Sequence, residues 1–141
     1  MERDLLLLPV VAQVFLVVAL YVRLAMAKSQ AAKAGLVNET RRALYDDAWP
    51  ESVLQINNCI RNQFEVPVLF FVLTLIFWMI DSVSGLVHIL AWSFVLTRLI
   101  HAYIHTGSNY VPIRRRMFMM GCLVIMVMAI VAVANIVAPY I

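Results

Sequence analysis

Hydrophobic positions fall into four long runs along the chain, and the places where polar residues interrupt them predict the fold and locate the chemistry. The first run, Leu5 to Met26, carries Gln13 as its one interior polar side chain before Arg23, and Pro9 falls in its first turns, where proline is tolerated. The second, Val66 to Ile80, has 15 uncharged residues, which at the helical rise cover about 22 Å of a hydrocarbon core about 30 Å thick. It is too short to span alone, so the predicted helix extends back through Glu65, Asn62, Arg61 and Asn58. The third, Val83 to Thr97, is again 15 uncharged residues and must continue through Arg98, His101 and His105 to complete its crossing. The fourth, Met117 to Ile141, is broken only by Asn135. The pattern predicts an all-α, four-transmembrane-helix bundle in one domain over residues 1–141, with helices near 5–27, 52–80, 83–106 and 115–138.

The connections are unequal. Between the first two spans lies a long polar segment in which Gly35 can end a helical extension and Asn38 can cap a short helix through Tyr45; Trp49 and Pro50 then mark a return to the interface. Asp81 and the following Ser-Val-Ser-Gly predict a tight turn, so spans two and three run antiparallel and their polar ends meet at one depth. Thr106 to Arg116 reads as a loop closing on three arginines. Lys and Arg gather in the first and third connections, so the positive-inside rule puts both of these, and the polar ends of spans two and three, on the cytoplasmic side.

Composition excludes a soluble domain: 64% of the residues are hydrophobic and 13% charged. The N-terminal run is long, starts without a basic cluster and lacks a small-residue cleavage site, so it reads as a retained span rather than a secretory signal. Net charge is only +3 and belongs to the loops, which gives no reason to expect a nucleic-acid partner. Cys59 and Cys122 have no CxxC spacing and sit in apolar helices, which supports neither a disulfide framework nor a zinc knuckle. Mid-span His88 reads as a core histidine.

In a continuous helix Asn58, Arg61, Asn62 and Glu65 fall at i, i+3, i+4 and i+7 and share a face, as do Arg98, His101 and His105 at i, i+3 and i+7. Ionisable groups at membrane depth are costly unless they face protein or a wet cavity, so these stripes, with Tyr110, Arg114 and Arg115 from the adjoining loop, form the candidate site. Guanidinium forks suit carboxylates, a lone carboxylate suits an ammonium, and amides suit peptide groups, an inventory that matches a small zwitterionic peptide. A thiol on such a peptide would ionise more readily beside an arginine. His101 and His105 at i, i+4 are the rival metal reading, but no HExxH or Glu-x-x-His pair is present and Arg61, Arg98 and Arg114 would repel a dication. No metal site is assigned.

Asn62-Gln63-Phe64-Glu65, Arg98-Leu99-Ile100-His101 and Pro112-Ile113-Arg114, in this order across four spans, resemble the motifs of the membrane-associated proteins in eicosanoid and glutathione metabolism. The motif-bearing part runs from about Asn58 to Arg116, and hydropathy agrees over the whole chain. The resemblance implies a homotrimer with glutathione bound between subunits near the cytoplasmic face, acting on a lipophilic substrate. Asn62 and Glu65 then look like the glutathione-contacting pair, Arg98 and His101 like later site residues, and Arg114 like the arginine that holds the thiolate. Asn58 stands where eicosanoid-pathway members usually have arginine, His105 where tyrosine is common, and Arg115 where the prostaglandin-making branch has serine. These departures count against a specific leukotriene or prostaglandin synthase, and the compact chain looks like a bacterial, inner-membrane member. Two function classes stay open: a glutathione-dependent transferase or peroxidase, and a non-catalytic transporter or binding subunit that uses the same polar stripe.

Overall fold

The computed structural model describes residues 2–140, and no strand occurs among them. Its helices are α1 (Glu2–Leu5), α2 (Leu7–Lys33), α3 (Glu51–Gln63), α4 (Val66–Met79), α5 (Gly85–Thr106) and α6 (Val111–Val137), with short 3-10 turns at Asp46–Ala48 and Ala138–Tyr140. Four segments are long and apolar enough to cross a membrane: Arg3–Lys33, Glu51–Met79, Gly85–Thr106 and Val111–Tyr140. The chain is thus an all-α, multi-pass membrane protein.

α5 is the central helix. It buries Val87, Ala91, Phe94, Arg98, His101 and His105, a spacing of alternating fours and threes that keeps one stripe facing its neighbours. The first half of that stripe is apolar and the second half polar, so one helix builds both core and site. Phe70 of α4 stacks on Phe94 with centroids 4.6 Å apart. Gly121 of α6 lies so close that a Cβ there would sit 3.1 Å from Thr97 Oγ1, the kind of small-residue contact that lets membrane helices approach.

The apolar core is in two pieces. One gathers Leu6, Phe70, Phe77, Val87, Phe94 and Met128, the other Leu20, Leu24, Val53, Ile56, Ile60 and Ala102. Along α2, the second span and α5, the residue between the pieces is polar and fully buried: Gln13, Gln63 and Arg98. Gln13 Nε2 donates to Gln63 Oε1 at 3.0 Å, and Arg98 Nε donates to the same oxygen at 3.4 Å. Three spans are therefore tied at one depth by side chains that lipid could not satisfy.

Several local expectations change. The second span is two helices, because Pro67 has no N–H to give and its ring would strike the carbonyl of Gln63 in a continuous helix. The chain leaves helical geometry at Phe64 and Glu65, and α4 restarts with Pro67 in its first turn. Pro9 acts in the same way on the carbonyl of Leu5, which separates α1 from α2 at Leu6. Asn38 to Tyr45 forms turns rather than a capped helix; the Asn38 carbonyl accepts from the amides of Arg41 and Arg42. α6 begins at Val111 rather than near 115, since Pro112 suits a first turn. Gly35, at φ +67°, ends α2 as its spacing predicts.

Each end of the bundle is clasped. At the end holding Asp81, Arg3 pairs with that carboxylate at 3.5 Å and lies 4.4 Å over the Trp78 ring, whose Nε1 donates to Asp4 at 3.2 Å. His88 belongs to this end, not to mid-span, with Nδ1 3.4 Å from the carbonyl oxygen of Ser84. At the opposite end Lys28 lies 4.7 Å over Trp49.

Candidate functional site

The site lies at that opposite end, where the break in the second span, the last turns of α5 and the first turns of α6 meet. A cavity of about 240 Å³ opens there, lined by Asn62, His101, His105, Arg114, Arg115 and Phe118, together with Val111. No carboxylate among the described residues lines it.

α5 supplies the two histidines because positions 101 and 105 continue its buried stripe. Their rings meet edge to face with centroids 5.4 Å apart. His101 Nδ1 is 3.1 Å from the carbonyl oxygen of Arg114, which ties α5 to the first turn of α6. His101 Nε2 and His105 Nδ1 are buried without a hydrogen-bond partner among the described residues. No group of His, Cys, Asp and Glu able to hold a metal ion occurs among those residues.

α3 supplies Asn62 at the edge of its buried face. Its Oδ1 accepts from Arg98 Nη2 at 2.5 Å, and its Nδ2 donates to Glu65 Oε2 at 3.3 Å. Arg98 itself lies behind the cavity wall, fully buried, with Nε bonded to Gln63, Nη2 bonded to Asn62, Nη1 without a hydrogen-bond partner among the described residues, and its guanidinium 6.0 Å from the Phe118 ring centre. It orients the wall rather than lining it. The expected meeting of the polar ends of spans two and three is thus made by the charge-assisted hydrogen bonds from Arg98 to Asn62 and Gln63.

The predicted stripe of four divides. Glu65 is exposed at the helix break and has lost the register that would align it with Asn58. Asn58 and Arg61 are exposed on the outward face of α3, where Arg61 pairs with Asp46 of the first connection. Tyr110 is exposed as the cap residue before α6, and its carbonyl accepts from the amide of Arg114 at 3.1 Å. Arg114 is half-buried on the cavity, with Nη1 donating to Asn109 Oδ1. Arg115 is exposed at the cavity rim.

Several residues outside the predicted set hold this arrangement. Gln13 and Gln63 fix Arg98, as described. Arg23 of α2 donates to the carbonyl of Thr106 at 2.7 Å, and Gln55 of α3 donates to those of His105 and Gly107 at 2.6 and 3.0 Å. A helix end leaves its last carbonyls unpaired, so two neighbouring helices supply the caps that hold the histidine-bearing turn in place. Gln13 was detectable as a lone amide in an apolar run and Gln63 as part of the Asn62–Glu65 motif. Gln55 and Arg23 gave no signal, because capping across 50 or more residues depends on packing.

A search of the curated proteins and one of the solved structures matched nothing to the chain. A family model does match, over residues 6–134, which reaches all four spans and takes in every residue of the cavity. A four-helix membrane bundle, the Asn62, Arg98 and Arg114 positions at one end of it, and a match over nearly the whole length place this chain in the MAPEG family.

Proposed function

We propose that the protein is a glutathione-dependent transferase or peroxidase for lipophilic electrophiles, working as a homotrimer with its cavity end toward the cytoplasm. The observation that carries this reading is the convergence of the Arg114 guanidinium, the Asn62 amide and two buried histidines on one cavity at a membrane boundary.

The donor set fits glutathione. Arg114 and Arg115 offer forked donors to carboxylate or thiolate, Asn62 offers an amide to a peptide group, and Glu65 offers a carboxylate to an ammonium. The orphaned ring nitrogens of His101 and His105 supply further unfilled hydrogen-bonding capacity on lining residues. At about 240 Å³ the cavity is smaller than the usual range of about 300–1,000 Å³ for small-molecule sites. One protomer therefore offers an incomplete pocket, and in this reading the exposed Asn58, Arg61 and Tyr110 would meet a ligand shared with a neighbouring copy. Glutathione held by Arg114, Asn62 and Glu65 would supply a thiolate nucleophile for the electrophile. The guanidinium of Arg114 favours the charged sulfur, and Arg98 acts through Asn62 by holding its amide in place. The apolar outer faces of the spans admit a membrane-dissolved partner to the same end.

Calorimetric titration of the purified protein with glutathione tests this. Saturable binding is expected, weakened more than tenfold in Glu65→Gln because a hydrogen bond to a charged group is worth about 1.5–3 kcal/mol. Absence of binding, together with absence of thiol conjugation to a membrane-soluble aryl halide, would overturn the reading in favour of a non-catalytic role.

A further inference from the structure

We infer that Asn109 is a positioning residue for Arg114, holding its guanidinium at the cavity through a neutral acceptor; the inference rests on the glutathione reading above. Asn109 lies in the connection between α5 and α6, at φ +51°. Asparagine is among the few non-glycine residues that take up this left-handed region readily. Its amide donates to the carbonyl of Ile104 at 2.8 Å, which folds the connection back onto the end of α5. Its side-chain Oδ1 then accepts from Arg114 Nη1. The two residues are five apart, outside the i, i+3 and i+4 neighbours that a helix itself provides. The contact therefore exists because the connection doubles back.

The main chain of Arg114 is held independently, by its amide on Tyr110 and its carbonyl near His101 Nδ1. What Asn109 adds is control of the long side chain, whose free rotamers carry about 2 kcal/mol of entropy. A guanidinium has five N–H donors, so one bond to Asn109 leaves the others for an anion. The acceptor's neutrality matters equally. A carboxylate at this position would pair with Arg114 and cancel the charge that a thiolate needs. The other groups facing the cavity are His101 and His105 from α5, Asn62 from α3 with Glu65 bonded to it, and Arg115 from α6. None of these shares the acceptor role toward Arg114.

Two substitutions separate the functions of the side chain. Asn109→Gly keeps the left-handed backbone and removes the acceptor; Asn109→Asp keeps the acceptor and adds the charge. The first measurement uses no ligand: side-chain nuclear magnetic resonance of protein labelled with ¹⁵N-arginine. A resolved, slowly rotating Arg114 guanidinium is expected in wild type and in Asn109→Asp, and an averaged one in Asn109→Gly. The second is ultraviolet thiolate absorbance across a pH series with glutathione added. Asn109→Gly is expected to lower the thiolate signal and turnover about tenfold near neutral pH, with the calorimetric glutathione Kd changed by less than about twofold. Asn109→Asp is expected to move thiolate formation to higher pH, since a negative neighbour disfavours a second negative charge.

An unchanged Arg114 resonance in Asn109→Gly overturns the inference whatever glutathione does. Where wild type gives a thiolate band, a pH profile that moves in neither variant also overturns it. If wild type gives no thiolate band while the resonance behaves as expected, the glutathione reading fails and the positioning of Arg114 by Asn109 stands.

Discussion

Arg98 is the residue on which most of the polar structure depends. It is fully buried, yet the groups bonded to its guanidinium are neutral: Gln63 Oε1, Asn62 Oδ1 and the Asn62 carbonyl. Removing an acceptor from a buried charge costs more than removing a neutral pair, because the charge stays behind unsolvated. Gln63→Leu should therefore destabilise the protein by about 2 kcal/mol, read as a lower thermal midpoint in detergent. Gln13→Leu removes only one amide donor, and interhelical hydrogen bonds of that kind average about 0.6 kcal/mol in membranes. Equal midpoints for the two variants would show that Arg98 does not depend on Gln63.

At the scale of elements, proline and glycine decide where the helices bend and touch. Pro67 divides the second span and so puts Glu65 at a break instead of on the stripe with Asn58 and Arg61. Pro67→Ala restores the missing N–H, and α3 should run into α4 as one helix. Circular dichroism should then report added helix while glutathione affinity falls, because Glu65 leaves the break and joins Asn58 and Arg61 on the outward stripe of a continuous helix. Higher helix content with unchanged affinity would free the site from any need for the break. Gly121 sets the α5 to α6 approach at Thr97. In Gly121→Val the added methyl groups must push the helices apart at a cost of about 1–3 kcal/mol, which a thermal melt will show.

The whole molecule has two chemically different ends. The Asp81 end is closed by Arg3, Trp78 and Asp4, and the other end carries the cavity, the arginines of the third connection and the long first connection. The proposed orientation, which the positive-inside rule supports, has the cavity end toward the cytoplasm, so a reporter fused within residues 36–47 should read as cytoplasmic. A non-cytoplasmic reading there would reverse the proposed orientation. The small cavity and the exposed polar groups beside it favour a site completed by a second copy. Native mass spectrometry from detergent is expected to show a trimer, and a monomer that binds glutathione with full affinity would remove the need for one.

The sequence by itself determined the four spans, their antiparallel neighbours and the end at which the polar residues gather. Run length against bilayer thickness and the cost of unpaired charge in lipid leave few alternatives. It also brought Asn62, His101 and His105 to that end by helical spacing and Arg114 by its place in the third connection, and all four line the cavity. Tertiary structure decided which of the polar residues face inward together. Asn58 and Arg61 turned outward, since the buried face of α3 is set by the packing of Val53, Ile56 and Ile60 against α2 and α5. Arg98 withdrew behind the wall, because Gln13 and Gln63, distant in sequence, meet at its depth. The carbonyl caps from Arg23 and Gln55 and the acceptor from Asn109 exist only once separate helices and a folded-back connection are brought together. Periodicity reports which face a residue occupies on its own helix, and these contacts depend on where the other helices lie.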